Sequence, residues 1–410
     1  MRRCPKTLTG KAATGVAPLL LLAVTFMTGA FMTIDAQANQ TAAAPTCAVP
    51  ERARARDLGI APGVLKPGPL NAITDVAGVL VGQVTLVEGK SIRTGATAIL
   101  PHGGNIFQDK VPAGVFVANG FGKSAGLSQI AELGEIETPI VLTNTLAVAR
   151  GMDAILDWTL AQPGNENVRS VNAVVGETND GELNDIRARA ITPADIVKAI
   201  KGAKSGPVEE GAVGAGTGTV AFGWKGGIGT SSRLLPKSLG GYTVGVLVQS
   251  NFGGVLTIDG VRIGEKLGQY YLKGAADGSS ANGSIMVVVA TDAPLSDRNL
   301  TRLAKRAIAG VARTGSSFTN GSGDYVLSFS TAESVRRTPS RRAAVTSYPE
   351  ISNDGISPLF QAAAEAAEEA VYNSLFMAKT VTSYDAASKK DVTVKQFPIA
   401  EIMKKPPGCQ

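Results

Sequence analysis

The join at Ser284 constrains this chain more than any other feature. Residues 277–283, "DGSSANG", are small or polar and suit an exposed turn. They pass without a break into "SIMVVVATDAPL", residues 284–295, whose β-branched run reads as a buried strand. Any fold must therefore bring a buried strand straight out of a small-residue segment, with a hydroxyl at the boundary.

Other stretches have the same texture. "AITDVAGVLVGQVTL" reads as strands with a tight turn, and "VPAGVFVANG", "ETPIVLTNT", "SVNAVVGETNDG", "TVGVLVQSNFGG" and "YVLSFS" read as strands. Leu146–Leu160 is helical in pattern. Leu300, Leu303, Ala304, Ala307, Ile308 and Val311 recur at helical spacing. Pro358 opens a third helix, "PLFQAAAEAAEEAVYNSLFMA". The order lacks regular βαβ spacing, so layered α and β is expected rather than a doubly wound parallel sheet. With 410 residues, 44% hydrophobic, the chain can build one large domain or two ordinary ones.

The first residues read as a targeting segment. Arg2, Arg3, Lys6 and Lys11 precede the apolar "APLLLLAVTFMTGAF", and "AQA" at Ala36–Ala38 offers a cleavage site. Residues 1–38 are expected to be a signal peptide, with a retained anchor as the alternative. The twin arginines hint at twin-arginine export. The expected compartment is the periplasm, with no membrane association after removal. Residues 39–56 are expected to form a loose arm. Removal of 1–38 takes four positive charges and Asp35, lowering the net charge from +6 to +3, too mild to argue for nucleic acid. Arg336, Arg337, Arg341 and Arg342 read as a solvated loop rather than a phosphate site. Cys47 and Cys409 remain near the mature ends; export permits a disulfide, but sequence does not show proximity.

Several motifs fail. "NGFGKS" has Val117 where a phosphate loop needs glycine, and "GAGTGT" lacks the last glycine of a dinucleotide fingerprint. The latter reads as a turn or a close backbone approach. His102 is the sole histidine, and its simplest role is hydrogen bonding within "LPHGGN". One histidine cannot be both a general base and part of a multi-histidine metal site, and the cysteines are not clustered. No metal or cofactor is expected, so a nucleophile must be activated by something other than histidine.

Ser284 can supply its own base. A lysine amine has a reference pKa near about 10.4, whereas an α-amine lies at about 7.7–8.0 and can accept a proton at neutral pH. A break between Gly283 and Ser284 would place such an amine beside the Ser284 hydroxyl, an N-terminal-nucleophile arrangement. Gly283 suits the break because it lacks a Cβ. The alternative is a plain hairpin, for which Asn282-Gly283 is a strong turn signal; Ser279 and Ser280 also leave the position of a cut open.

Residues 54–385 resemble the family of β-peptidyl aminopeptidases and L-aminopeptidase/D-Ala-esterase-amidases. The resemblance runs through "TGATAILPHGG", "GFGKSAGLSQIAELGEIETPIVLTNTL", "VVGETNDGELND", "VEEGAVGAGTGTVAFGWKGGIGTSSR", "TVGVLVQSNFGG", "SIMVVVATDAPL" and "GSGDYVLSFST". Each is weak alone; their order is specific. The resemblance implies a four-layer α/β/β/α sandwich, cleavage between Gly283 and Ser284, and α (39–283) and β (284–410) chains that stay together as one domain. It also implies a homotetramer of αβ units. Ser284 would be the nucleophile and Asn251 the oxyanion-hole amide. Ser322 and Asp324 would hold the Ser284 amine and hydroxyl.

Departures accompany the match. Asp324 stands where better known members have Glu, Gln83 where many have His, and Glu182 where relatives carry Tyr or Trp. An ionised Glu182 would repel an oxyanion, so it points away or reads something positive. Glu177, Asp180 and Glu182 are the candidates for substrate binding, the first two for a substrate ammonium; turn hydrogen bonding is the alternative for Asp180. The resemblance implies release of small N-terminal residues, β-amino acids such as β-Ala or L- or D-Ala, from peptides, amides and esters. An acyltransferase of the ornithine acetyltransferase type and an inactive exported binding protein are the alternatives.

Overall fold

A computed structural model describes residues 50–274 and 283–402. Residues 1–38, expected to be a signal peptide, together with Cys47, Cys409, the first part of the arm and residues 275–282, lie outside the described residues. Among those described, ten strands form two larger sheets. They are β1 (Leu80–Glu88), β2 (Ile92–Leu100), β3 (Val111–Gly120), β4 (Glu135–Ile136), β5 (Ile140–Asn144), β6 (Val174–Thr178), β7 (Gly227–Leu234), β8 (Thr243–Asn251), β9 (Ser284–Thr291) and β10 (Gly323–Ser330). One sheet has the order β1-β2-β5-β6; the other has β4-β3-β10-β9-β8-β7. The longer helices are α1 (Val148–Leu160), α2 (Pro193–Lys201), α3 (Asp297–Arg313) and α4 (Ser357–Phe376).

These elements stack in four layers. Helices α3 and α4 cover one face of the six-stranded sheet, the two sheets face each other, and α1 and α2 cover the four-stranded sheet. Three apolar clusters fill the three gaps. Strand β9 explains the unbroken apolar run. Ile285, Val287 and Val289 join the cluster beneath α3 and α4, whereas Met286, Val288 and Ala290 join the one between the sheets. Successive side chains of a strand point to opposite faces, so a strand covered on both sides is apolar through its middle, here Ile285 to Ala290.

Local signals set the helix ends. Ser296 caps α3 by accepting the Asn299 N–H. Thr192 and Asp195 form a capping box around Pro193 at the start of α2. Helix α4 is alanine-rich and lies close to β7: a Cβ on Gly229 would sit 2.0 Å from the Ala370 carbonyl oxygen. It also carries two fully buried carboxylates. Glu365 and Glu369 meet the buried Arg233 of β7 at 3.1 and 2.8 Å, and Arg56 reaches Glu369 at 3.0 Å.

Two expectations are corrected here. The described end of the arm is not loose. Arg54 donates to the carbonyls of Leu70, Asn71 and Thr230 and pairs with Glu210, while Ala55 and Leu58 are buried. The four-arginine loop is not simply solvated. Arg336 pairs with Asp109 at 2.8 Å, the Arg337 guanidinium lies 3.8 Å from the Tyr348 ring centre, and Pro339–Arg342 form a helical turn. His102 does hydrogen-bond within its turn, accepting the Gly104 N–H at Nδ1, with Nε2 2.7 Å from the Asp109 carbonyl. No helix of the described residues is long and apolar enough to cross a membrane.

Candidate active site

Strand β9 begins at Ser284, between β8 and β10. Its register pairs Ser284 with Asn251, the last residue of antiparallel β8, and with Gly323, the first residue of parallel β10. The sheet alone therefore brings together residues 33 and 39 positions apart in sequence. Gly283 is confined by the same pairing. A Cβ there would lie 2.1 Å from the Asn251 carbonyl oxygen and 2.6 Å from the Phe252 Cα.

The Ser284 hydroxyl lies against its own preceding peptide. Oγ donates to the Gly283 carbonyl at 2.6 Å and accepts the Gly323 N–H at 3.2 Å. It opens into a cleft of about 540 Å³ whose lining includes Lys123, Glu177, Glu182, Asn251, Gly283 and Ser284.

The Asn251 side chain is oriented from both ends. Its Oδ1 accepts the Val220 N–H at 2.9 Å, and its Nδ2 donates to the Asn179 carbonyl at 3.0 Å. An N–H can only donate, so Val220 fixes which end of the amide is oxygen. One Nδ2 hydrogen is left over.

Ser322 and Asp324 stand one register step from Ser284. The Ser322 hydroxyl donates to Asp324 Oδ1 at 2.7 Å. Asp324 is fully buried, and its Oδ2 has no hydrogen-bonding partner among the described residues. Burial pushes this carboxyl up to about 6, against the pull of the Ser322 hydroxyl and the Ile285 N–H.

The three candidate binding carboxylates part company. Glu177 is buried yet lines the cleft; Oε1 accepts the Lys123 backbone N–H at 2.8 Å, and Oε2 accepts the Thr145 hydroxyl. Glu182 stands exposed on the cleft wall; partial desolvation raises its pKa, and the Lys225 ammonium opposes that rise. Asp180 does not line the cleft. It is buried behind it, accepting from Asn184 Nδ2 at 3.0 Å and from Thr94. The turn-bonding alternative is what the geometry supports there. Gln83 donates to the Glu209 carbonyl and is also outside the cleft lining.

Sequence reasoning passed over Lys225. It is fully buried, and Nζ donates to the carbonyls of Gly216, Thr219 and Gly226 at 2.8, 2.7 and 2.7 Å. Its one sequence signal is a lysine set among small and aromatic residues in "FGWKGG". Among the described residues, no group of three or more His, Cys, Asp or Glu could hold a metal ion.

This pairing of strand-end serine and asparagine over one cleft can be compared with known proteins. The model of Peptidase family S58 matches residues 71–389. The chain belongs to that family. This S58 peptidase is 41% identical over 374 residues to the beta-peptidyl aminopeptidase BapA of Sphingosinicella microcystinivorans, a match covering 86% of this chain and 91% of the relative. A Burkholderia beta-aminopeptidase has a similar structure, with TM-score 0.77 and 41% identity over 85% of this chain and 97% of that one. So does the L-aminopeptidase D-Ala-esterase/amidase of Ochrobactrum anthropi, a prototype for the serine aminopeptidases. It matches with TM-score 0.76 and 36% identity over 85% of this chain and 96% of its own. That protein is a variant of the Ntn hydrolase fold, and the S58 peptidase shares its fold in the four layers expected.

Proposed function

We infer that the protein is a self-processing serine aminopeptidase, a hydrolase that frees small N-terminal residues from peptides, amides or esters. The observation that carries this is the Ser284 hydroxyl against its own Gly283 carbonyl, opening on a cleft shared with Asn251 and Glu177.

Maturation is an acyl shift. Oγ attacks the Gly283 carbonyl carbon, the Gly283–Ser284 C–N bond breaks, and the proton lost by Oγ passes to the nitrogen, which becomes an α-amine. Water then hydrolyses the resulting ester, leaving a Gly283 carboxylate and a free hydroxyl. In the mature enzyme the new α-amine takes the Oγ proton as Oγ attacks a substrate carbonyl. The spare Asn251 N–H stabilises the oxyanion. The leaving amine receives the proton, and water releases the acyl group.

The remaining residues fit around that cycle. Ser322 and Asp324 hold the amine, and the unpartnered Asp324 Oδ2 is the acceptor it would fill. Glu177 pairs with the substrate ammonium, since its carboxylate is oriented by two donors and still faces the cleft. The relatives' names point to β-peptides, L-residues and D-Ala derivatives as the substrate range. Export through residues 1–38 to the periplasm, α and β chains of 39–283 and 284–410, and a homotetramer of αβ units belong to the same reading.

Intact mass spectrometry tests it first. Two chains divided at Gly283–Ser284 are expected, and one uncut chain from Ser284→Ala. A panel of β-Ala, L-Ala, D-Ala and Lys amides then tests the activity. A single uncut chain that hydrolyses them would overturn the mechanism.

A further inference from the structure

Lys225 is a buried cation that the catalytic cycle above leaves without a task. Its three carbonyl acceptors define its state. A neutral amine has two hydrogens and a lone pair, and the lone pair would face one of those oxygens. The three short contacts require the ammonium, although burial pushes the group down to about 7 against the pull of Asp180 and Glu182.

The clamped carbonyls belong to one structure. Val220–Ala221 and Trp224–Lys225 form a two-stranded hairpin, and the Gly216, Thr219 and Gly226 carbonyls lie at its base. The hairpin is stitched to the end of β8. Phe222 N–H donates to the Phe252 carbonyl at 2.7 Å, and Val220 N–H donates to Asn251 Oδ1 at 2.9 Å. Val220 also lines the cleft beside Asn251 and Ser284. A chain of direct bonds thus runs from the ammonium, through the hairpin backbone, to the oxygen end of the Asn251 amide.

We propose that Lys225 is a positioning residue for the oxyanion site: its ammonium clamps the hairpin that presents the Val220 N–H, and this N–H holds the Asn251 amide with its nitrogen toward the cleft. The proposal rests on Ser284 and Asn251 acting as nucleophile and oxyanion donor. Loss of the clamp frees the hairpin and lets the amide rotate, weakening a contact made in the transition state more than substrate binding. The effect therefore falls on kcat rather than KM.

A double-mutant cycle on the mature enzyme tests this, with the best p-nitroanilide of the Ala and β-Ala series as substrate. Lys225→Met is expected to lower kcat by about tenfold or more with KM changed less than about threefold, and to cost less than about threefold further once Asn251→Ala is present. Equal losses in both backgrounds, or lowered thermal stability with unchanged kcat, would overturn the proposal. Val220→Pro removes the linking N–H while keeping Lys225, and decides the matter should Lys225→Met fail to fold or mature. It is expected to show a similar kcat loss that is not additive with Asn251→Ala; wild-type kcat in that variant would break the chain of bonds. A wild-type protein without activity on any anilide would instead count against the aminopeptidase reading, which keeps the two failures distinct.

Discussion

In the proposed mechanism one hydroxyl, that of Ser284, cuts the chain and then cuts substrates. Ser284→Ala should fold, stay uncut and remain inactive, as electrophoresis and an amide assay would show. Asn251→Ala should mature and lose roughly a hundredfold in kcat, the usual cost of one oxyanion donor. An unchanged kcat with lowered stability would mean that Asn251 only pins its turn. Glu182 invites a charge test, because it stands on the cleft wall facing a buried lysine. Glu182→Gln should lower the ratio of kcat/KM for Lys over Ala amides; an unchanged ratio would show that this carboxylate does not read substrate charge. Asp324 gives a pH signature in the uncut chain. Its folded pKa of about 6 exceeds its ordinary 3.8, so the folded chain keeps this proton longer than the unfolded one. Stability from this group is present at low pH and lost as pH rises from about 4 to about 6, by roughly 3 kcal/mol at about 1.4 kcal/mol per pKa unit. Comparing urea unfolding of Ser284→Ala with and without Asp324→Asn should show that loss shrink in the second, the remainder coming from other buried carboxyls held high, such as Asp180 and Glu210. A parallel pH dependence would sink the assignment.

At the scale of elements, the junction of β8 and β9 is the tightest point. Gly283→Ala would drive a methyl into the Asn251 carbonyl, so self-cleavage should slow markedly while the flanking strands persist. Time-resolved electrophoresis would detect it, and cleavage at the wild-type rate would show that the backbone relaxes freely. Much of this was legible in the sequence. Strand β9 showed itself through an unbroken β-branched run, and α3 through its apolar stripe, because burial on two faces or one leaves a pattern along the chain. The Ser284–Asn251 pairing carries no such mark. It is set by strand register, which joins distant residues, and only family resemblance supplied it. Lys225 was missed because a buried lysine is recognised by what surrounds it in space. Asp180 was misplaced for the converse reason: a carboxylate in a polar turn looks available until the fold closes over it. The arm at residues 39–56 looked loose from its alanines and arginines, but in its described part the arginines had partners in β7 and α4, far along the chain.

For the whole molecule, the order of the six-stranded sheet matters most. Strands β9 and β10 follow the proposed cut, yet they lie in the middle, flanked by β3 and β8 from before it. Arg233 precedes the cut as well, and Glu365 and Glu369 follow it. The two chains should therefore co-elute in native size-exclusion chromatography and separate only in denaturant. Glu369→Ala should destabilise the assembly by roughly 3–5 kcal/mol, because it strands part of a buried ion cluster; a loss under about 1 kcal/mol in denaturant unfolding would contradict this. The unpartnered acceptor oxygen of Asp324 reaches further, into the protein's lifetime. A chain that has not cut itself buries a carboxyl group with one oxygen unanswered, and under the proposed mechanism a chain that has cut itself would answer it with an N–H of the new α-amine. Uncut molecules should open more often and be degraded first by any protease that takes open chains. Pulse-chase half-lives of wild type, Ser284→Ala and Ser284→Ala with Asp324→Asn would show it, with the double variant regaining persistence. Failure to mature would then be self-erasing, and the surviving population would be enriched in working enzyme without any dedicated inspector.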